Sequence, residues 1–281
     1  MYNMNSKFVE IFNNKEFNDF IDKTYLELKD IRGKRDYGKI ECDADFVINK
    51  YNVKYEFGAS IFGMPGSGKT TLSSKIGKEI LSTDKFLAEI REENPVFPAP
   101  DGKSDIFRKH EYKVITCLIL SGLANNKILD FGGGALLQPG LAIVSKKVFG
   151  DRLINLSIED DDRIYNLTQD TIILGDKSSR DVVNKAVKAN KAITKENLEK
   201  LKKECDQLIS EYGSLAKAKD KIKELKEYET FKKLYEICEK FDYDNRWRKG
   251  IFNEASEALS FEKALEKLEL SGNKKNKINM F

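Results

Sequence analysis

Lys69 and Thr70 close the run Gly63-Met-Pro-Gly-Ser-Gly-Lys-Thr, a complete G-x-x-x-x-G-K-[ST] pattern. At that spacing the glycines let backbone N–H groups turn inward on an anion. The lysine reaches the outer phosphates as a positive point charge, and the next hydroxyl can ligate Mg²⁺. Gly63, Pro65, Gly66, Ser67, Gly68, Lys69, Thr70 and Thr71 are therefore the candidate residues for a nucleoside triphosphate. An apolar run, "GASIF", precedes the pattern and a helical "LSSKIGKEI" follows it, which is the strand–loop–helix context the chemistry requires.

Further along lie residues suited to hold whatever receives a phosphate. "LSTDKFL" puts Asp84 fifteen residues after Lys69, about where a second strand would end beside the nucleotide. Asp there reads either as a substrate contact or as a helix N-cap. "SDIFRKHE" supplies Arg108 and Glu111, three apart and so on one side of a helix. Arg108 reads as a two-point clamp for a carboxylate, or as the partner of Glu111 in a surface ion pair. "ILDFGGGALLQPG" places Gly132, Gly133 and Gly134 directly after a strand, where bare backbone lets a ligand approach closely. Together these describe a pocket for a small, oxygen-rich, anionic acceptor beside the γ-phosphate. The single histidine, His110, points elsewhere on the same helix, and Trp247 reads as packing or a wall on the adenine side.

The elements that must position these groups are strands alternating with helices: "GASIF", "KILDF" (127–131), "RLINLSI" (152–158) and, more weakly, "EKFDYDN" (239–245). That alternation predicts an α/β fold, a parallel sheet covered on both faces. Residues 1–52 read as a helical N-terminal extension, with Phe17, Phe20, Ile21, Leu26 and Leu28 near one face. Residues 53–270 read as the main domain, carrying a lid and a helical insertion around 165–240; 271–281 read as a flexible tail. Within the insertion Leu198, Leu201, Cys205, Leu208 and Tyr212 recur at helical steps. Gly213 then interrupts, and Ile222, Leu225, Tyr228, Phe231, Tyr235 and Cys238 form a second run. The pattern predicts a helical hairpin, read either as a solvated face or as an arm for a protein partner or self-association.

Bulk properties exclude some classes. The 281 residues carry 49 basic and 46 acidic side chains, net +3, so no one-sided charge calls for nucleic acid or a membrane surface. Four cysteines without a C-x-x-C pair read as reduced thiols rather than zinc ligands. With no long apolar run behind a basic start, a cytoplasmic protein is expected.

"GMPGSGKTT", "STDKFL", "IFRKHE" and "FGGGALLQPG" occur in the order of four motifs of the shikimate kinases. These are small-molecule kinases of the P-loop, nucleoside-monophosphate-kinase-like group. The chain resembles them from about 57 to 160, and "FDYDNRW" resembles their adenine-side loop. The resemblance implies a three-layer P-loop kinase core. It also implies ATP- and Mg²⁺-dependent transfer of the γ-phosphate to a hydroxyl of shikimate or a related hydroxylated carboxylic acid. Asp84 would then orient the acceptor hydroxyl, Arg108 bind its carboxylate, Gly132–Gly134 line the ring, and a lid arginine, Arg180, neutralise developing charge.

The chain departs from the family at three places. Ser82 stands where the Asp-x-Asp motif has its first acid, while Asp130 ends the "KILD" strand, where many P-loop enzymes keep a metal-organising carboxylate. The Arg-Pro-Leu-Leu of the lid is absent. The second carboxylate-binding arginine has no match, and "TFKKLYEI" offers Lys232 and Lys233, which lack the guanidinium fork. A related kinase with a changed acceptor (a sugar or nucleotide derivative) and a nucleotide-binding interaction protein without transfer activity are the alternatives.

Overall fold

A computed structural model describes residues 5–27, 30, 37–52, 58–76, 79–93, 105–132, 134–169, 194–230, 232–233 and 251–278. By internal contacts the chain forms two units. The first comprises Met1–Met64, Lys69–Ser157 and Lys249–Phe281, and the second Pro65–Gly68 and Ile158–Arg248.

The first unit holds five strands: β1 (Ala59–Gly63), β2 (Ile80–Ser82), β3 (Ile128–Asp130), β4 (Leu153–Leu156) and β5 (Ala258–Leu259). They form one all-parallel sheet in the order β2-β3-β1-β4-β5. β1 and β4 are buried along their whole length, as continuous apolar runs covered on both faces should be. On one face Ala59, Ile61, Ile128, Ile154 and Leu156 pack with Leu72 of α4 (Lys69–Lys75) and with Ala264 and Leu268 of α11 (Phe261–Ile278). On the other, α7 (Pro139–Phe149) contacts β1 and β4, and α6 (Asp105–Leu120) contacts α7. The expected α/β architecture, a parallel sheet flanked by helices, is present.

The N-terminal extension packs against α6 and α7. It contributes α1 (Ser6–Asn13), α2 (Lys15–Thr24) and α3 (Tyr37–Lys50). Asn5 and Asn14 cap α1 and α2 by accepting from the amides of Phe8 and Phe17. Phe8, Ile11, Phe17, Phe20 and Ile21 are buried. α2 stops at Thr24, so Leu26 lies beyond the helical face predicted for it. It is held instead by its backbone: its N–H donates to Gln138 Oε1 at 3.1 Å, and Gln138 Nε2 donates to its carbonyl at 2.8 Å.

Three other boundaries differ from expectation. α4 ends at Lys75, and Ile80 of "KEIL" joins the sheet beside Ile128 instead of continuing a helix. The fifth strand is Ala258–Leu259, only two residues and therefore without a readable pattern. The stretch 239–245 lies outside the described residues. α11 runs to Ile278, into the segment read as a tail.

The second unit contains α8 (Asp160–Thr168), α9 (Lys195–Tyr212) and α10 (Leu215–Lys223). Thr194 starts α9 with a capping box, Gly213 ends it at φ +75°, and Ser214 caps α10. The hairpin expected from the sequence is present. Its second run is broken, with α10 ending at Lys223 and a further helical stretch over 226–230. Among the described residues no helix is long and apolar enough to cross a membrane.

Candidate active site

The carboxyl end of β1 leads directly into the glycine loop. Gly66 and Gly68 adopt φ +80° and +86°, a region side chains rarely occupy, which is why this loop needs glycine at both places. Lys69 Nζ donates to the carbonyls of Gly63 at 3.1 Å and Met64 at 3.3 Å, so the ammonium lies back across its own loop. Thr70 and Thr71 are exposed in the first turn of α4, Pro65 is half-buried, and the buried Ser67 hydroxyl has no hydrogen-bond partner among the described residues.

Beside β1 in the sheet, Asp130 ends β3. It is in register with Ile61 on one side and Ser82 on the other. The position where the family resemblance expects an acid, Ser82, is thus the cross-strand neighbour of the acid this chain does carry. Ser82 itself caps α5 (Thr83–Glu93), its hydroxyl accepting from the Lys85 amide at 3.4 Å. The N-cap role read for Asp84 belongs to Ser82; Asp84 sits in the first helical turn.

Asp130 Oδ1 is buried and has no hydrogen-bond partner among the described residues. Burial pushes this carboxyl up to about 6; Lys69 and Lys85 oppose the shift and Asp84 adds to it. A buried carboxylate oxygen of this kind could serve as a ligand for Mg²⁺, which typically takes one or two carboxylates and completes its shell with water and phosphate.

The second group of candidate residues is built from the glycine run and two helix starts. Thr83, fully buried, accepts the N–H of Gly132 on its Oγ1 at 2.8 Å. That bond draws Gly132 against Asp84, whose carboxylate occupies the space a Cβ at 132 would need. Partial enclosure raises the Asp84 carboxyl above its ordinary value, against the pull of Lys69 and Arg108. Asp84 keeps an exposed face, so solvent screens the effect. Two residues on, a Cβ at Gly134 would stand 2.6 Å from Arg108 Nη1. The glycines therefore admit a carboxylate and a guanidinium flat against the backbone.

Arg108 and Glu111 are 8% and 3% exposed and bonded at 2.5 Å, a buried pair rather than the surface pair considered from the sequence. Burial raises the Glu111 carboxyl and Arg108 counters it. The backbone at Gly134 lies against the Arg108 guanidinium; elsewhere on α6, α1 and α2 pack on it, and Thr24 and Tyr112 share a hydrogen bond at 2.7 Å.

Lys69, Asp84, Arg108, Asp130, Gly132 and Gly134 therefore belong to one unit, at the carboxyl end of its sheet. Gly133, Arg180, Trp247 and the "FDYDNRW" stretch lie outside the described residues. Lys232 is engaged with Asp161, and Lys233 with Glu229. Burial lowers the His110 pKa, with Lys113 and Lys109 adding to the effect. Thr83 escaped the sequence reading; its only signal was a hydroxyl at the strand-to-helix junction between Ser82 and Asp84. No protein-family model and no curated protein matches this chain.

Proposed function

We propose that the chain is an ATP- and Mg²⁺-dependent small-molecule kinase of the shikimate kinase type. The observation that carries this reading is the grouping of Lys69, Asp130, Asp84 and Arg108 where the parallel strands end, with β1 running into a complete phosphate-cradling sequence. Loop amides and Lys69 would hold the β- and γ-phosphates. Asp130 and the Thr70 hydroxyl would hold Mg²⁺, which when bound screens phosphate charge. Asp84 would accept the proton of the acceptor hydroxyl as its oxygen bonds to the γ-phosphorus and the bond to the β-phosphate breaks. Its raised pKa favours that acceptance. Gly132 and Gly134 would let the acceptor lie against backbone. Catalysis of this type rests on position and charge.

One observation favours a changed acceptor. Arg108 already holds the buried Glu111, so its fork faces a carboxylate from within the protein. A neutral polyol is then a credible acceptor beside hydroxylated acids. The test is a coupled ADP-release assay over hydroxy acids and sugars, shikimate first, with Lys69→Ala as control. Acceptor-dependent release abolished by Lys69→Ala is expected. ATP binding without such release from any acceptor would favour an interaction protein.

A further inference from the structure

α8 is gripped on two sides within the second unit. Toward the glycine loop, Asn166 Nδ2 donates to the Gly66 carbonyl at 2.8 Å. A Cβ at Gly66 would meet the Arg163 carbonyl and Leu167 Cγ, each at 2.7 Å, so α8 lies in van der Waals reach of the loop apex. Toward the hairpin, Ile164, Tyr165 and Leu167 share a buried cluster with Leu201, Cys205, Ala218, Ile222 and Tyr228. At the helix start Asp161 is bonded by Lys223 and Lys232, and Asp162 by Lys219 and Lys223. These lysines hold the Asp161 carboxyl down at about 2, so the ion pairs persist across the working pH range.

From this we propose that the α9–α10 hairpin is the backing of the glycine loop. It fixes α8, and α8 sets the loop through Asn166, a positioning residue. The inference rests on the kinase reading in one respect, that the loop receives a triphosphate. The physical reason is entropic. A loop with two glycines at positive φ has many conformations to lose on binding phosphate. A hydrogen bond to the carbonyl between them, made by a side chain on an immobilised helix, removes much of that freedom beforehand.

The test uses the full chain, with MgATP as the calorimetric probe and the Ser67 amide as an NMR reporter, since its nitrogen is bonded to the Gly66 carbonyl. Asn166→Leu keeps the side-chain size and loses the donor. It is expected to weaken MgATP binding about 3- to 10-fold, the range of one neutral hydrogen bond. It should also shift the Ser67 amide resonance while the thermal midpoint without nucleotide changes little. Lys219→Met with Lys223→Met, remote from the loop, should weaken MgATP about 2- to 5-fold and move the same resonance in the same direction. If wild type and Asn166→Leu bind MgATP equally, the clamp is overturned and the kinase reading stands. If only the lysine variant is silent, the hairpin's part is overturned. Failure of wild type to bind MgATP would overturn the reading beneath the proposal and the proposal with it.

Discussion

At the scale of single residues, Asp130 carries a buried carboxyl whose ordinary ionisation the fold opposes. Its carboxyl sits near 6 when folded, against an ordinary 3.8. At about pH 3 and below both folded and unfolded chains hold the proton and nothing differs. Between pH 4 and 6 the unfolded chain releases it first, so the folded state is progressively disfavoured as pH rises. Above 6 the penalty is complete, up to about 3 kcal/mol. Asp130→Asn should therefore raise the melting temperature at pH 7.5 in the absence of Mg²⁺ and leave it nearly unchanged at about pH 3; an equal rise at both would refute the assignment. The same variant should need more Mg²⁺ for half-maximal ADP release, whereas Ser82→Ala should not. Lys69→Ala should lower turnover on the order of 10²-fold or more while far-UV circular dichroism stays native. Restored turnover in that variant would remove the lysine from the phosphate site.

At the scale of elements, the junctions between strands and helices decide what mutations do. Arg108→Ala leaves Glu111 buried and alone, and breaking such a pair typically costs about 3–5 kcal/mol. The variant should melt earlier even without any acceptor, so a loss of activity there counts only beside Glu111→Gln. Arg108→Ala/Glu111→Leu should recover stability without recovering activity; recovery of both would take Arg108 out of the acceptor site. Gly132→Ala should push the Asp84 carboxylate aside and lower turnover more than the affinity for ATP, as kinetics with each substrate varied would reveal. Which residues gather at these junctions was legible in the sequence because their types recur at fixed local spacing after the strands. What was not legible depends on long-range pairing. Ser82 and Asp130 become neighbours only through the β2–β3 register. The Thr83–Gly132 bond spans forty-nine residues. The i,i+3 spacing of Arg108 and Glu111 gives their proximity but not their burial, which brings Gly134 against the guanidinium.

At the scale of the whole molecule, the N-terminal extension is structural. Phe8, Ile11, Phe17, Phe20 and Ile21 are buried, and at about 1.5–3 kcal/mol for each such side chain their sum approaches the roughly 5–15 kcal/mol that stabilises a domain. Removing residues 1–27 should abolish cooperative unfolding and expose apolar surface to a hydrophobic dye. A truncated chain that still melts cooperatively would show the extension to be dispensable. Sequence periodicity found these helices but not their dependence on α6 and α7, because an amphipathic face does not name its partner. Among the described strands, those at the two margins of the sheet are very short, β2 with three residues and β5 with two. A long, flat margin offers unpaired amides on which another chain can crystallise its own strand. Margins this brief give an incoming chain too few bonds to hold, so the folded protein should stay dispersed at concentrations where longer-edged sheets begin to polymerise.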